Sequence, residues 1–239
     1  MEMQTDYEIG QFCVIEENVK IGYNTIIGHH VVIHKDTIIG DNVRIDDFAC
    51  IGKTAMKAKN SAVTTSEEKP PTIIENGVII GTSAIIYRGA TIKQDCLIAD
   101  LATVREDVSI GEKTIIGKGV TIENKTTIGK MSKIQTNAYI TAYSKIGDNC
   151  FIAPCVVTSN DNFAGRTALR FEKFKGITVL NGGRIGAGAV ILPDKTVFED
   201  AFVGAGSVLT KNANSNEVVV GNPAKKKCDV PENQLLKNQ

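Results

Sequence analysis

Ile74-Glu-Asn-Gly-Val-Ile-Ile80-Gly-Thr-Ser-Ala-Ile-Ile86-Tyr-Arg-Gly-Ala-Thr-Ile92-Lys-Gln-Asp-Cys-Leu-Ile98 sets an isoleucine at every sixth residue, with Val78, Ala84, Ala90 and Cys96 two places ahead of the later four. Side chains alternate along a strand, so residues two apart share a face, and each six-residue unit sends one large and one small group the same way. No helix repeats every six residues, and a stack of hairpins does not hold one phase for so long. A parallel β-helix does, each short strand bonding to the strand a coil above and a coil below.

The same rhythm extends in both directions. It runs from Ile9 to Ile51, from Ile74 to Ile152, and in a third register from Val179 to Leu209. Glycine often follows the aliphatic residue, as at Gly10, Gly22, Gly28, Gly40, Gly111 and Gly147, and is expected to supply the turn that ends each strand. The chain therefore reads as a single all-β domain, residues 1–239: a first repeat run over 7–52, an inserted loop over 53–73, a second run over 74–158, a second inserted loop over 159–176, a third run over 177–212, and a C-terminal cap over 213–239. Glu232 to Lys237 is expected to form a short helix covering the end of the stack. A repeat scaffold makes flat walls, so the polar excursion from Ser159 to Gly176 is the natural place for chemistry. The first insertion, polar and ending in Pro70-Pro71, reads either as a surface excursion or as a grip on a ligand or a neighbouring subunit.

Composition narrows the functional classes. Basic and acidic residues balance, 27 against 27, so no whole-molecule field draws nucleic acid or an anionic membrane, and neither is expected as a partner. The sequence has no long apolar run and no signal-peptide pattern at its start, so a soluble cytoplasmic protein is expected. The six cysteines form no C-x-x-C pair, which indicates neither a zinc site nor a disulfide framework. Tryptophan is absent and aromatics are 5%, which suits a narrow interior.

Over residues 7 to 212 the pattern resembles the hexapeptide-repeat, left-handed parallel β-helix superfamily. The resemblance, not the spacing, implies the left hand, three hexapeptides per coil, acyl transfer from acetyl-CoA or an acyl carrier, and a homotrimer with sites between adjacent β-helices. Gly186-Ala-Gly-Ala-Val-Ile-Leu-Pro, Val203-Gly-Ala-Gly-Ser-Val-Leu-Thr-Lys and Val220-Gly-Asn-Pro-Ala-Lys look like the C-terminal signature of the coenzyme-A-dependent members. On that resemblance acetyl-CoA is the co-substrate. Gly186, Ala187, Gly188, Gly204 and Ala205 would let a pantetheine arm lie against backbone, Asn222 belongs to the same signature, and Lys211, Lys225 and Lys226 would meet its phosphates. The competing reading is plain turn formation for the glycines and a solvated face for the lysines.

Lys133-Ile-Gln-Thr-Asn, followed by Thr158-Ser-Asn-Asp and Arg166, looks like the subgroup that acetylates the amine of nucleotide-linked amino sugars in bacterial surface-polysaccharide synthesis. By that resemblance Asn137, Asn160 and Asp161 map to the catalytic centre. Asp161 suits an ammonium or its proton, and the asparagines suit sugar hydroxyls or the tetrahedral oxyanion. Asx-turns are the structural alternative at such loop starts. Gln135, Thr141, Tyr143, Asp100, Arg105 and Arg166 are the candidate substrate-binding residues, a surface salt bridge being the alternative for Asp100 and Arg105. The sequence departs from the subgroup at Ala142, where some members carry an acid.

Many hexapeptide transferases use a histidine base, but His29, His30 and His34 all fall in the second coil. Six coils at ~4.8 Å each separate Ile33 from Thr158, a gap of roughly 29 Å, so the histidines are expected to be surface or turn residues. His29 and His30 are adjacent and face opposite ways, unlike spaced zinc ligands, and no metal is expected. With Asp161 the acid in range, an amine, which needs little activation, is favoured over a hydroxyl. The leading expectation is N-acetyl transfer to a nucleotide amino sugar; the alternatives are acyl transfer to another small amine or hydroxyl, and a non-catalytic β-helical scaffold.

Overall fold

A computed structural model describes residues 7–64 and 67–239. Three sheets wrap one interior, with twelve, ten and nine strands among the described residues. Up to strand Val208–Leu209 successive strands go to successive faces, so each pairs in parallel with the strand three along. Outside the insertions the register is 18 residues: Ile80 pairs with Ile98, Ile98 with Ile116, Ile116 with Ile134 and Ile134 with Ile152. Most strands are two residues long, the first half-exposed and the second an aliphatic residue that is fully buried, as at Ile98, Ile110 and Ile122. Burial of one such side chain stabilises the fold by roughly 1.5–3 kcal/mol. The small residues two places earlier, including Ala90, Cys96 and Ala102, fill the corners between the large ones. Cys96 and Cys150 are buried in this way, whereas Cys155 and Cys228 are exposed.

The glycines after the aliphatic residues have a different job from the expected one. The left-handed turn residue comes two places later, for example Asn24 (φ 53°), Asn42 (φ 55°) and Asn149 (φ 54°). Gly22 is required instead by crowding, because a Cβ there would stand 2.4 Å from the backbone carbon of Gly40 in the coil above. Aspartates just before the left-handed residue stitch coils together: Asp41, Asp47 and Asp148 accept the amides of Tyr23, His29 and Lys130 in the coil below.

The end of the chain also differs from expectation. In place of one helix over Glu232 to Lys237, strand Lys225–Asp229 folds back antiparallel on strand Glu217–Val220, and two single 3₁₀ turns follow at Glu232–Gln234 and Leu236–Asn238. Pairing the last strand edge in this way protects it from intermolecular pairing. Among the described residues no helix is long and apolar enough to cross a membrane.

Both insertions leave from the same corner. The first departs after strand Cys50–Lys53 on the second face and returns at strand Ile73–Ile74 on the third; the second departs after Val157–Thr158 on the second face and returns at Thr178–Val179 on the third. Five coils, ~24 Å, separate the two departures.

Candidate active site

The first insertion lies along the corner. Lys69 pairs with Asp107 at 2.8 Å, the Thr64 hydroxyl accepts from Arg105 at 3.2 Å, and the Val63 carbonyl accepts from Asn124 at 3.0 Å. Arg105 and Asp107 sit at one turn of this corner and Asn124 at the same turn one coil higher, so the loop is pinned like a strap. At its upper end Ala62 and Val63 meet the second insertion around a pocket of about 200 Å³, lined also by Glu123, Tyr139, Thr141, Ala142, Asn160, Asp161, Arg170 and Phe174.

Thr158 is where the second insertion begins, and its residue type explains how the coil tolerates the departure. It holds an aliphatic position yet is only 1% exposed. Its hydroxyl accepts the Thr141 amide at 2.8 Å and donates to the Tyr139 carbonyl at 3.1 Å. Those backbone groups would otherwise be buried without partners once the chain leaves the ladder.

Asp161 organises the loop. One carboxylate oxygen accepts the Phe163 amide at 2.8 Å; the other accepts the Gly165 amide at 3.0 Å and Arg170 Nε at 2.9 Å. Burial pushes its carboxyl up, but the two amides and the guanidinium outweigh that and hold it below the ordinary value. The Asx-turn reading of this residue is thus realised, within the pocket wall. Asn160 closes the loop neck, its carbonyl accepting the Lys175 amide at 3.2 Å. The Arg170 guanidinium also lies over Phe174, 5.0 Å from the ring centre.

The charges beneath come from lower coils. Glu106 is 2% exposed and holds Arg105 through Nε at 2.8 Å and Nη2 at 3.0 Å, and the same guanidinium reaches Glu123 from Nη1 at 3.4 Å. Arg105 also covers the Tyr87 ring at 4.9 Å. It therefore pins the strap and the buried acids, which is the salt-bridge alternative to the substrate-binding reading of this residue. Burial pushes the Glu123 carboxyl up; Arg105 draws it back and Glu106 pushes it further up, leaving it above its ordinary value. Burial likewise raises the Tyr139 phenol, and Glu123 adds to that rise.

The structure gathers some of the expected site residues and separates others. Asn160, Asp161 and Thr141 share the pocket. Asn137 does not: it is an exposed left-handed turn residue (φ 58°) on the corner between the first and second faces. One face of a coil spans on the order of 13 Å, so in one chain Asn137 stands across that face from Asp161. Gln135 lies on the same corner. Asp100 is a coil stitch there, accepting the Thr82 amide at 3.0 Å, rather than a pocket residue. Tyr143 occupies a left-handed turn beside the pocket with Lys125 5.7 Å from its ring, and Arg166 is exposed on the outer part of the loop.

Of the expected coenzyme residues, Gly186 and Gly204 are buried and demanded by packing. A Cβ on Gly186 would stand 2.4 Å from the Ala205 nitrogen, and one on Gly204 2.6 Å from Val220. Ala187, Gly188 and Ala205 are exposed, and at Gly188 and Gly206 (both φ +66°) a Cβ would meet open space. Lys211 and Lys225 are exposed, as is Asn222, whereas Lys226 is engaged by Glu217 and Asp229 at 3.3 and 2.7 Å. The histidines serve locally: His30 stacks between Phe12 and Phe48, His29 accepts the Gln11 amide, and His34 contacts Glu16 at 3.0 Å.

The residues sequence reasoning missed are Glu123, Tyr139, Phe174 and the pair Ala62 and Val63. Glu123 had a signal, since it stands 18 residues before Thr141 and so one coil beneath it. Nothing in the repeat pattern indicates where the first insertion lies.

The fold and the corner pocket define a hexapeptide parallel β-helix carrying a loop-built site. The model of the bacterial transferase hexapeptide, described as six repeats, matches residues 89–124 and 125–160, and that of the hexapeptide repeat of succinyl-transferase matches residues 71–99 and 107–142. These matches fall within residues 71–160 and, with the parallel coils, fit the hexapeptide-repeat superfamily of left-handed parallel β-helices. Among solved structures, the UDP-N-acetylglucosamine acyltransferase of Francisella novicida is similar over 98% of this chain and 70% of its own, with 18% identity and a TM-score of 0.53. PerB of Caulobacter crescentus, solved with CoA and GDP-perosamine, aligns over 61% of this chain with 23% identity and a TM-score of 0.45, and the match spans 57% of its length. A hexapeptide-repeat acetyltransferase of Vibrio cholerae O1 biovar eltor, solved with acetyl coenzyme A, aligns over 51% of this chain and 70% of its own, with 22% identity and a TM-score of 0.44.

Proposed function

We propose that the protein transfers an acetyl group from acetyl-CoA to the amine of a nucleotide-linked amino sugar, as a homotrimer. The observation that carries the amine is the charge balance of the pocket. Asp161 is neutralised by Arg170, while Glu106 and Glu123 share the single guanidinium of Arg105. One carboxylate charge is left over in a partly desolvated place, which favours a cationic ligand group such as an ammonium. Support for the donor comes from the exposed backbone at Ala187–Gly188 and Ala205–Gly206, where a pantetheine arm can approach amides without meeting side chains. The nucleotide sugar rests on the resemblance of the Lys133 to Asn137 and Thr158 to Asp161 segments.

The test is a panel of nucleotide amino sugars incubated with acetyl-CoA, read by thiol release and by mass spectrometry of the product. A gain of one acetyl group on nitrogen is expected with at least one acceptor. Acetylation of a hydroxyl alone overturns the amine reading, and no thiol release with any acceptor at high protein concentration favours a scaffold.

A further inference from the structure

Two carboxylates line the corner pocket, and they are not equivalent. Asp161 already holds three donors on its two oxygens. A general base must keep a lone pair for the proton it receives, in reach of the reacting group. Glu123 meets that condition. Its side chain is 19% exposed, and it holds two donors, the Asn124 amide and, at 3.4 Å, Arg105, whose other nitrogens are committed to Glu106. The backbone sets its place: the Glu123 amide donates to the Ile140 carbonyl of the coil above at 2.9 Å, which puts Glu123 one coil beneath Thr141, and it lines the pocket together with Thr141 and Ala142. Ala142 presents only a methyl group to the same pocket, which leaves Glu123 as the acid at this turn.

We propose that Glu123 is the catalytic base, receiving the proton that the acceptor ammonium loses before it attacks the thioester. This rests on the amine-acetylation reading above. In the first step an N–H bond of the ammonium breaks, its electron pair stays on nitrogen, and the proton goes to a Glu123 oxygen. The nitrogen then bonds to the thioester carbonyl carbon, whose π pair moves to oxygen. As the tetrahedral adduct collapses the C–S bond breaks and the thiolate takes the second nitrogen proton, giving amide and free thiol; Glu123 returns its proton to water.

The charged and titratable groups around Glu123 are Arg105 and Glu106 from the coil below, Tyr139 from the second face, and the Asp161–Arg170 pair from the second insertion; the Lys69–Asp107 pair of the first insertion lies lower on the corner. Burial outweighs Arg105 and holds the Glu123 carboxyl above its ordinary value, the direction that strengthens a base.

The experiment compares kcat against pH for the wild type, Glu123→Gln, Glu123→Asp and Glu123→Ala, with thermal melting to confirm folding. Glu123→Gln is expected to lower kcat by about 10²–10⁴-fold and to abolish the acid limb of the profile. Glu123→Asp should restore part of the rate with the limb displaced, and added formate should partly rescue Glu123→Ala, an effect that a merely structural residue would not give. A folded Glu123→Gln variant with wild-type kcat and an unchanged acid limb overturns the assignment while leaving acetyl transfer standing. If the wild type acetylates no amine, the functional reading fails first, and the assignment with it.

Discussion

The Asp161 carboxylate and the Arg170 guanidinium, nine residues apart, meet at 2.9 Å and close the second insertion onto the pocket. The same carboxylate caps two loop amides, so it is the loop's organiser as well as part of its wall.

Asp161→Asn should therefore loosen the loop rather than abolish chemistry. The expected outcome is a larger rise in acceptor KM than fall in kcat, with Arg170→Met giving the same change and the double variant adding little, because both remove one interaction. The carboxyl is depressed in the folded protein, so its stabilising contribution is present above the unfolded value of about 3.9 and is lost as pH falls through the lower folded value. Melting temperatures of wild type and Asp161→Asn should accordingly differ at neutral pH and converge in acid.

Thr158→Val keeps the shape of a buried residue but removes the hydroxyl that serves the Thr141 amide and the Tyr139 carbonyl. A destabilisation of about 1–3 kcal/mol is expected from the unpaired buried groups, and less for Thr158→Ser. Urea denaturation measures both, and equal stability of the two variants contradicts the account.

Arg105→Met strips the partner from Glu106, which is 2% exposed, and frees Thr64 of the first insertion. A loss of about 3–5 kcal/mol is expected, with Arg105→Met/Glu106→Leu recovering much of it. Limited proteolysis should cut the first insertion faster in both variants.

Glycines of the coenzyme-type blocks separate into two kinds. Gly188→Ala meets no atom and carries only the left-handed backbone penalty of about 1–2 kcal/mol, so the protein should fold and show a raised KM for acetyl-CoA with the acceptor KM unchanged. Gly186→Ala runs into the Ala205 backbone nitrogen and should yield little folded protein. Expression yield and steady-state kinetics distinguish the two.

The sequence by itself determined the β-helix, because a strict six-residue period leaves one way to place an aliphatic side chain inside at every turn. It also marked both insertions, where the phase breaks, and Asp161 as a loop residue of consequence. It misread the job of Gly22 and its equivalents, since crowding between coils acts across 18 residues and leaves no local trace. Only the tertiary structure decided that both insertions leave one corner, that the first runs up to the second, and that Asn137 stands across a face from Asp161. It also brought Glu123 into one pocket with Asp161 and Arg170. The reason is physical: a repeat fixes each residue's height and face, but a loop's path is set by side-chain contacts with other coils, here Asp107, Arg105 and Asn124, that share no sequence neighbourhood with it.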